Sequence, residues 1–110
     1  MIVKMVSVTN VGKESETVEF KESIGQLDKG LKSLSAMLNR HNHGTVYLGV
    51  NDQGDVVGMD VGKDTCESIR NLVRTRIQPQ IVPEVVEHVT DDGKKYVTLH
   101  AFGYNIPYSY

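Results

Sequence analysis

Apolar residues recur at Ile24, Leu27, Leu31, Leu34 and Leu38, with Met37 widening the stripe and His41 next in phase. Steps of three and four put them on one face of a helix. Ser23 and Gln26 fit a capping box at its start, where a hydroxyl and an amide satisfy free backbone donors. Asn42 and Gly44 fit its end. Gly30 inside it is unfavourable by propensity and points to close packing. A second stripe, Cys66, Ile69, Leu72, Val73 and Ile77, predicts a helix from about Asp64. Asp64 and Glu67 are placed as N-cap and reciprocal acid, and Pro79 stops the helix.

Strand signals fill the intervals. Thr17, Val18 and Phe20 within "ESETVEFK" (residues 14–21) predict a short, half-exposed strand. "TVYLGV" (residues 45–50) is apolar nearly throughout. It predicts a central strand buried on both faces. "NDQGD" reads as a turn, and "VVGMDV" as a short hairpin partner. Near the end, "EVVEHV", "TDDGKK" and "KYVTLHAF" read as strand, turn and strand. Val97, Leu99 and Ala101 alternate with Tyr96, Thr98 and His100, giving that strand an inner and an outer face. "MIVKMV" at the start is an edge strand or an extension. The order is strand, helix, hairpin, helix, hairpin, an α/β (α+β) single domain with a mixed, mostly antiparallel sheet flanked by two helices.

A length of 110 residues suits one such domain. No apolar run is long enough to span a bilayer. The single cysteine excludes an intrachain disulfide framework and favours a reducing, cytoplasmic setting. Cys66 lies on the helical apolar stripe, where a buried thiol is expected. The formal net charge of −2 means that any binding of nucleic acid must rest on local cationic clusters. Lys29, Lys32 and Arg40 on the first helix, and Arg70 and Arg74 on the second, form such clusters if both helices face the same way. Arg76, Lys94 and Lys95 add to them.

Among the acids, Glu14 and Glu19 flank a strand and Asp52 follows another. Converging carboxylates are what hard divalent cations need. His41, His43, His88 and His100 show no zinc-ligand spacing. The glycines from Gly44 to Gly58 spell neither a Walker loop nor a dinucleotide fingerprint, so they read as turn and packing positions.

Taken in order, "ESETVEFKES", "LSAMLNRHNHGTVYLGVNDQGDVVGMD", "IRNLVRTRIQPQIVP" and "IPYSY" resemble the Schlafen AlbA-like DNA-binding domain, over about residues 14–108. The family pattern is E-x-x-x-x-E-F-K, a helix ending S-A-x-x-N, a glycine-rich strand and turn, then I-x-P and P-Y. The resemblance implies a nucleic-acid-binding domain of a transcriptional regulator or a RecG-related helicase-like protein, with further domains beside it. Lys21, Lys29, Lys32, Arg40, Arg70 and Arg74 would contact DNA or RNA, without a cofactor. It also implies an alternative, since the Schlafen branch uses this scaffold as a metal-dependent endoribonuclease on structured RNA. Glu14, Glu19 and Asp52 would then hold Mg2+ or Mn2+, with Lys21 near the scissile phosphate. His43 stands where the family has the first glycine of a pair, which alters the turn into the strand. Residues 1–13 lie outside the resemblance. The Pro–Tyr tail reads as one domain of a longer protein, and an exposed sheet edge would favour a homodimer.

Overall fold

The computed structural model describes Val3–Val6 and residues 9–110. Met1, Ile2, Ser7 and Val8, and the side chains of Lys4 and Val6, lie outside the described residues, so the first two positions of the "MIVKMV" strand do too. The elements are β1 (Val3–Val6), β2 (Val18–Lys21), α1 (Leu27–His41), β3 (His43–Leu48), α2 (Thr65–Arg76), β4 (Glu84–Thr90) and β5 (Lys95–Phe102). They form one five-stranded sheet in the order β1-β4-β5-β3-β2.

The sheet is mixed and mostly antiparallel, as expected, since the two longer ladders, both made by β5, are antiparallel. β1 runs parallel to β4 and β2 parallel to β3, while β5 is antiparallel to both β3 and β4. The parallel pairing of β2 with β3 comes from the helix between them. A 15-residue helix returns the chain to the end of the sheet where β2 began, so the next strand runs the same way. The hairpin expected after β3 does not form. Val50 and Val56 make a single bridge, and the chain beyond forms no strand of its own, with the Met59 N–H donating to the Lys95 carbonyl at 2.9 Å. The hairpin of β4 and β5 forms as expected.

Nor is β3 central. It lies one place from the β2 edge, and β5 holds the middle. Its residues alternate, with Val46 and Leu48 fully buried and Thr45 and Tyr47 partly exposed. The buried set pairs in register with Leu99 and Val97 of β5, both inaccessible. Leu31, Leu34 and Leu38 of α1 meet this surface together with Cys66, Ile69 and Val73 of α2 in one core. Each such side chain contributes roughly 1.5–3 kcal/mol through burial. Both helices therefore lie on one face of the sheet. On the opposite face a smaller cluster of Phe20, Val50, Val56 and Tyr96 gathers beside Val11, Val18 and Tyr47. Among the described residues it covers part of that side and leaves His43 and Phe102, at one end, exposed and His100 partly so.

Helix starts differ in detail from expectation. A 3-10 turn, Ile24–Gln26, precedes α1, and Ser23 makes no side-chain cap. Gln26 instead accepts a hydrogen bond from the Glu22 N–H at 2.9 Å. Asp64 stands at the start of α2, also without a side-chain cap bond. At the C-terminus of α1, Asn42 takes the left-handed conformation, φ 66°, which ends the helix as the sequence predicts.

Cys66 is buried, as expected, and burial pushes its thiol above the usual range. Glu87 is buried on the helical side of β4, and its carboxylate has Lys95 Nζ at 3.7 Å.

Gly44 explains how closely α1 is seated. A Cβ there would lie 2.5 Å from Met37 Sδ and 2.7 Å from Met37 Cβ. Gly30 does the same from the helix side, where a Cβ would sit 3.0 Å from Val46 Cγ1. Gly44→Ala should overpack this contact and cost about 1–3 kcal/mol. Urea unfolding of both proteins measures it, and equal midpoints would contradict the close seating.

Candidate nucleic-acid interface and acid pair

Glu14 and Glu19 are five positions apart, and only Glu19 lies on a strand. A tight turn brings them together. Ser15 and Val18 exchange both backbone hydrogen bonds, Ser15 N–H to Val18 O at 3.0 Å and Val18 N–H to Ser15 O at 3.3 Å. Glu16 and Thr17 form the tip, so the next residues outward, Glu14 and Glu19, face each other. Two further contacts tighten the tip: Ser15 Oγ accepts from the Thr17 N–H at 3.2 Å, and the Ser15 and Thr17 hydroxyls meet at 3.4 Å.

On β2, Glu19 and Lys21 point to the same side of the sheet and pair at 3.3 Å. Asp52 lies on the turn after β3, a turn held by Asn51 Oδ1, which accepts from the N–H groups of Gln53 and Asp55. The parallel pairing of β2 with β3 sets Leu48 beside Lys21, so that turn lies at the C-terminal end of β2. The Glu14 carboxyl is raised above the usual range. Burial contributes most, then repulsion from Glu19 and a hydrogen bond with it, then repulsion from Asp52, with Lys21 opposing. Thus the three acids and Lys21 share one electrostatic neighbourhood. They do not close into a ligand set, because among the described residues no three His, Cys, Asp or Glu side chains converge tightly enough to hold a metal ion.

The cations divide into free and engaged. Lys29, Lys32, Arg40 and Arg74 are exposed. Lys32 Nζ lies 5.5 Å from the centre of the Tyr110 ring. Arg70 is tied down: it bonds Glu67 at 3.2 Å and the Val85 carbonyl at 3.2 Å. Arg76 reaches across from α2 to Asp28 of α1 at 3.0 Å. The Tyr110 hydroxyl is raised, chiefly by its hydrogen bond with Asp28. Lys32, Asp28 and Arg76 therefore meet around Tyr110 along the seam between the helices. Arg40 and His41 line a cleft of about 290 Å³ beside α1, together with Ser15, Glu16 and Glu19. His41 Nε2 lies 3.3 Å from Glu16 Oε2 without hydrogen-bond alignment.

A family model, Schlafen AlbA_2, matches residues 14–107. The chain belongs to the Schlafen AlbA_2 family. No curated protein matches it. No helix among the described residues is long and apolar enough to cross a membrane.

In this AlbA_2 domain several family motif positions are structural. Asn39, which ends S-A-x-x-N, donates to the Tyr108 carbonyl at 2.7 Å and accepts from the Tyr108 N–H at 2.6 Å. The helix motif and the Pro–Tyr motif thus lock to each other. Tyr108 is buried, and its hydroxyl accepts from the Tyr104 N–H at 2.8 Å. The second glycine of the pair, Gly44, is fixed by Met37, whereas the first position is exposed, which is why a histidine fits there. Sequence reasoning did not find the Asn39–Tyr108 clamp or the Asp28–Arg76 link, since each joins positions distant in the chain.

The raised Glu14 carboxyl sets a pH dependence. A carboxyl raised on folding contributes stability that is present below its unfolded value and lost as pH rises through the folded one. Glu14→Gln should therefore be more stable than the parent at pH 7. The gap should shrink as pH falls below the ordinary carboxylate range. Urea unfolding at several pH values checks this, and a gap that does not change with pH would contradict it.

Proposed function

We propose that this AlbA_2 domain binds nucleic acid, as a module of a transcriptional regulator or RecG-related helicase-like protein. One observation supports the reading above the others. The two helices share one face of the sheet and are joined at Asp28, Arg76 and Tyr110, so the cations of both helices belong to one layer. Lys29 and Lys32 from α1 and Arg74 from α2 are exposed on it. Three such charges compensate for an acidic total, because phosphate contacts depend on the local field. Arg70 and Lys21 belong to the interface less readily, since each already has a protein partner. Binding of this type needs no cofactor.

The opposed Glu14 and Glu19 favour a second reading, a metal-dependent endoribonuclease acting on structured RNA. The acids are grouped with Lys21 but not arranged as a finished ligand set. Glu14, Glu19 and Asp52 would hold Mg2+ or Mn2+, which would supply stabilisation of the attacked phosphate.

Fluorescence anisotropy with labelled DNA and RNA tests the first reading. Three phosphate contacts predict that log affinity falls against log salt with a slope of about −3. Lys32→Ala or Arg74→Ala should each reduce that slope by about 1. Absence of binding to any DNA or RNA at low salt would overturn it. The same incubations with RNA and Mg2+ or Mn2+, read on a gel, test the second. Cleavage there should disappear in Glu19→Ala, and cleavage that survives the change would contradict the role of the acids.

A further inference from the structure

The face of the sheet opposite the helices carries a group of side chains that the phosphate-binding layer does not use. Alternation along β3 and β5 turns His43, Thr45, Thr98, His100 and Phe102 to this side. The His100 and Phe102 rings meet edge to face at 4.6 Å, and His43 lies 6.5 Å from Phe102 and 6.3 Å from His100. Thr45 Oγ1 and His100 Nδ1 are 2.6 Å apart, which holds the His100 ring in place. His43 is exposed, and Phe102 is 64% exposed.

We infer that this end of the sheet is a stacking platform for unpaired nucleotides, so that the domain prefers single-stranded nucleic acid over duplex. The inference rests on the nucleic-acid reading above and adds to it the form of the ligand. Three observations choose the occupant. First, the surface consists of rings and hydroxyls, and Phe102 is its one large apolar side chain. A stable protein partner needs about 800 Å² per side and some 20 or more residues, far beyond five side chains. A base, by contrast, needs only one exposed ring to stack on. Second, few acids on this face would repel a polyanion. Glu84, opposite His100 in register, is the one acid that the described strand residues turn to this side. Third, an exposed cation stands in the last turn of α1, just before β3 begins. Arg40 precedes His43 by three residues across the left-handed turn at Asn42. A backbone phosphate held by Arg40 would leave its neighbouring base at the rim of the platform. In duplex form the bases are paired and stacked among themselves, and the rings gain nothing.

The test uses the protein with labelled oligonucleotides of about twelve nucleotides, single-stranded DNA and RNA and a blunt duplex of the same sequence. Phe102→Ala should weaken single-strand binding by roughly five- to hundredfold and leave duplex binding unchanged. Phe102→Trp should restore it. Circular dichroism confirms that both variants fold, as the exposure of Phe102 predicts. Equal loss for single strand and duplex, or no loss for either, overturns the inference. So does light scattering in which the parent is a dimer that Phe102→Ala dissociates, since the face would then serve a second copy. If duplex binding persists while the platform variants are silent, the phosphate-layer reading stands without this one. If the parent binds neither form, both fall.

Discussion

The contact on which the rest depends is the seating of α1 against β3 and β2. Gly44 and Gly30 remove the side chains that would hold the helix away, and Met37 and Val46 fill the space. With α1 that close, its leucines share one core with α2, and both helices occupy the same side of the sheet. Two features follow from that one-sidedness: exposed cations of both helices share the helical layer, and His43 and Phe102 stay exposed at one end of the opposite face.

The acid pair is a consequence of local backbone geometry rather than of the core. A two-residue turn makes positions 14 and 19 opposite each other, and the repulsion that results helps raise the Glu14 carboxyl. Such pairing is unfavourable at neutral pH unless something offsets it. Lys21 does so in part, and phosphate chemistry would give the arrangement a use. The cations obey a different logic. Those that fasten the fold, Arg70 to the Val85 carbonyl and Arg76 to Asp28, are bound, whereas those without such a task stand exposed.

Much of this was legible in the sequence where the interactions are local. The leucine steps of α1, the stripe of α2 and the two faces of β5 each follow from periodicity alone. Residues 45–50 misled because Tyr47 looks apolar: it packs on Phe20 and Tyr96, and with Thr45 it stays only partly buried, so a strand with one partly covered face read as buried on both. The absent hairpin has a similar cause. Val56 makes one bridge to Val50 and buries its side chain in that smaller cluster, and the pairing goes no further. The choice of parallel partners, the Asn39–Tyr108 clamp and the division of cations into free and engaged all depend on contacts across long stretches of chain. The spacing of Glu14 and Glu19 was visible as a number, but the turn that gives it meaning was not.

The central claim is that the two faces of the sheet do different work: phosphates on the helical layer, bases on the bare end. Backbone amide shifts during NMR titration test this most directly. A single-stranded oligonucleotide should move the amides of Lys29, Lys32 and Arg74 and also those of His43, His100 and Phe102, whereas a duplex should move the helical set alone. Shifts confined to β4 and its outer edge, or the same residues moved by both ligands, would contradict it.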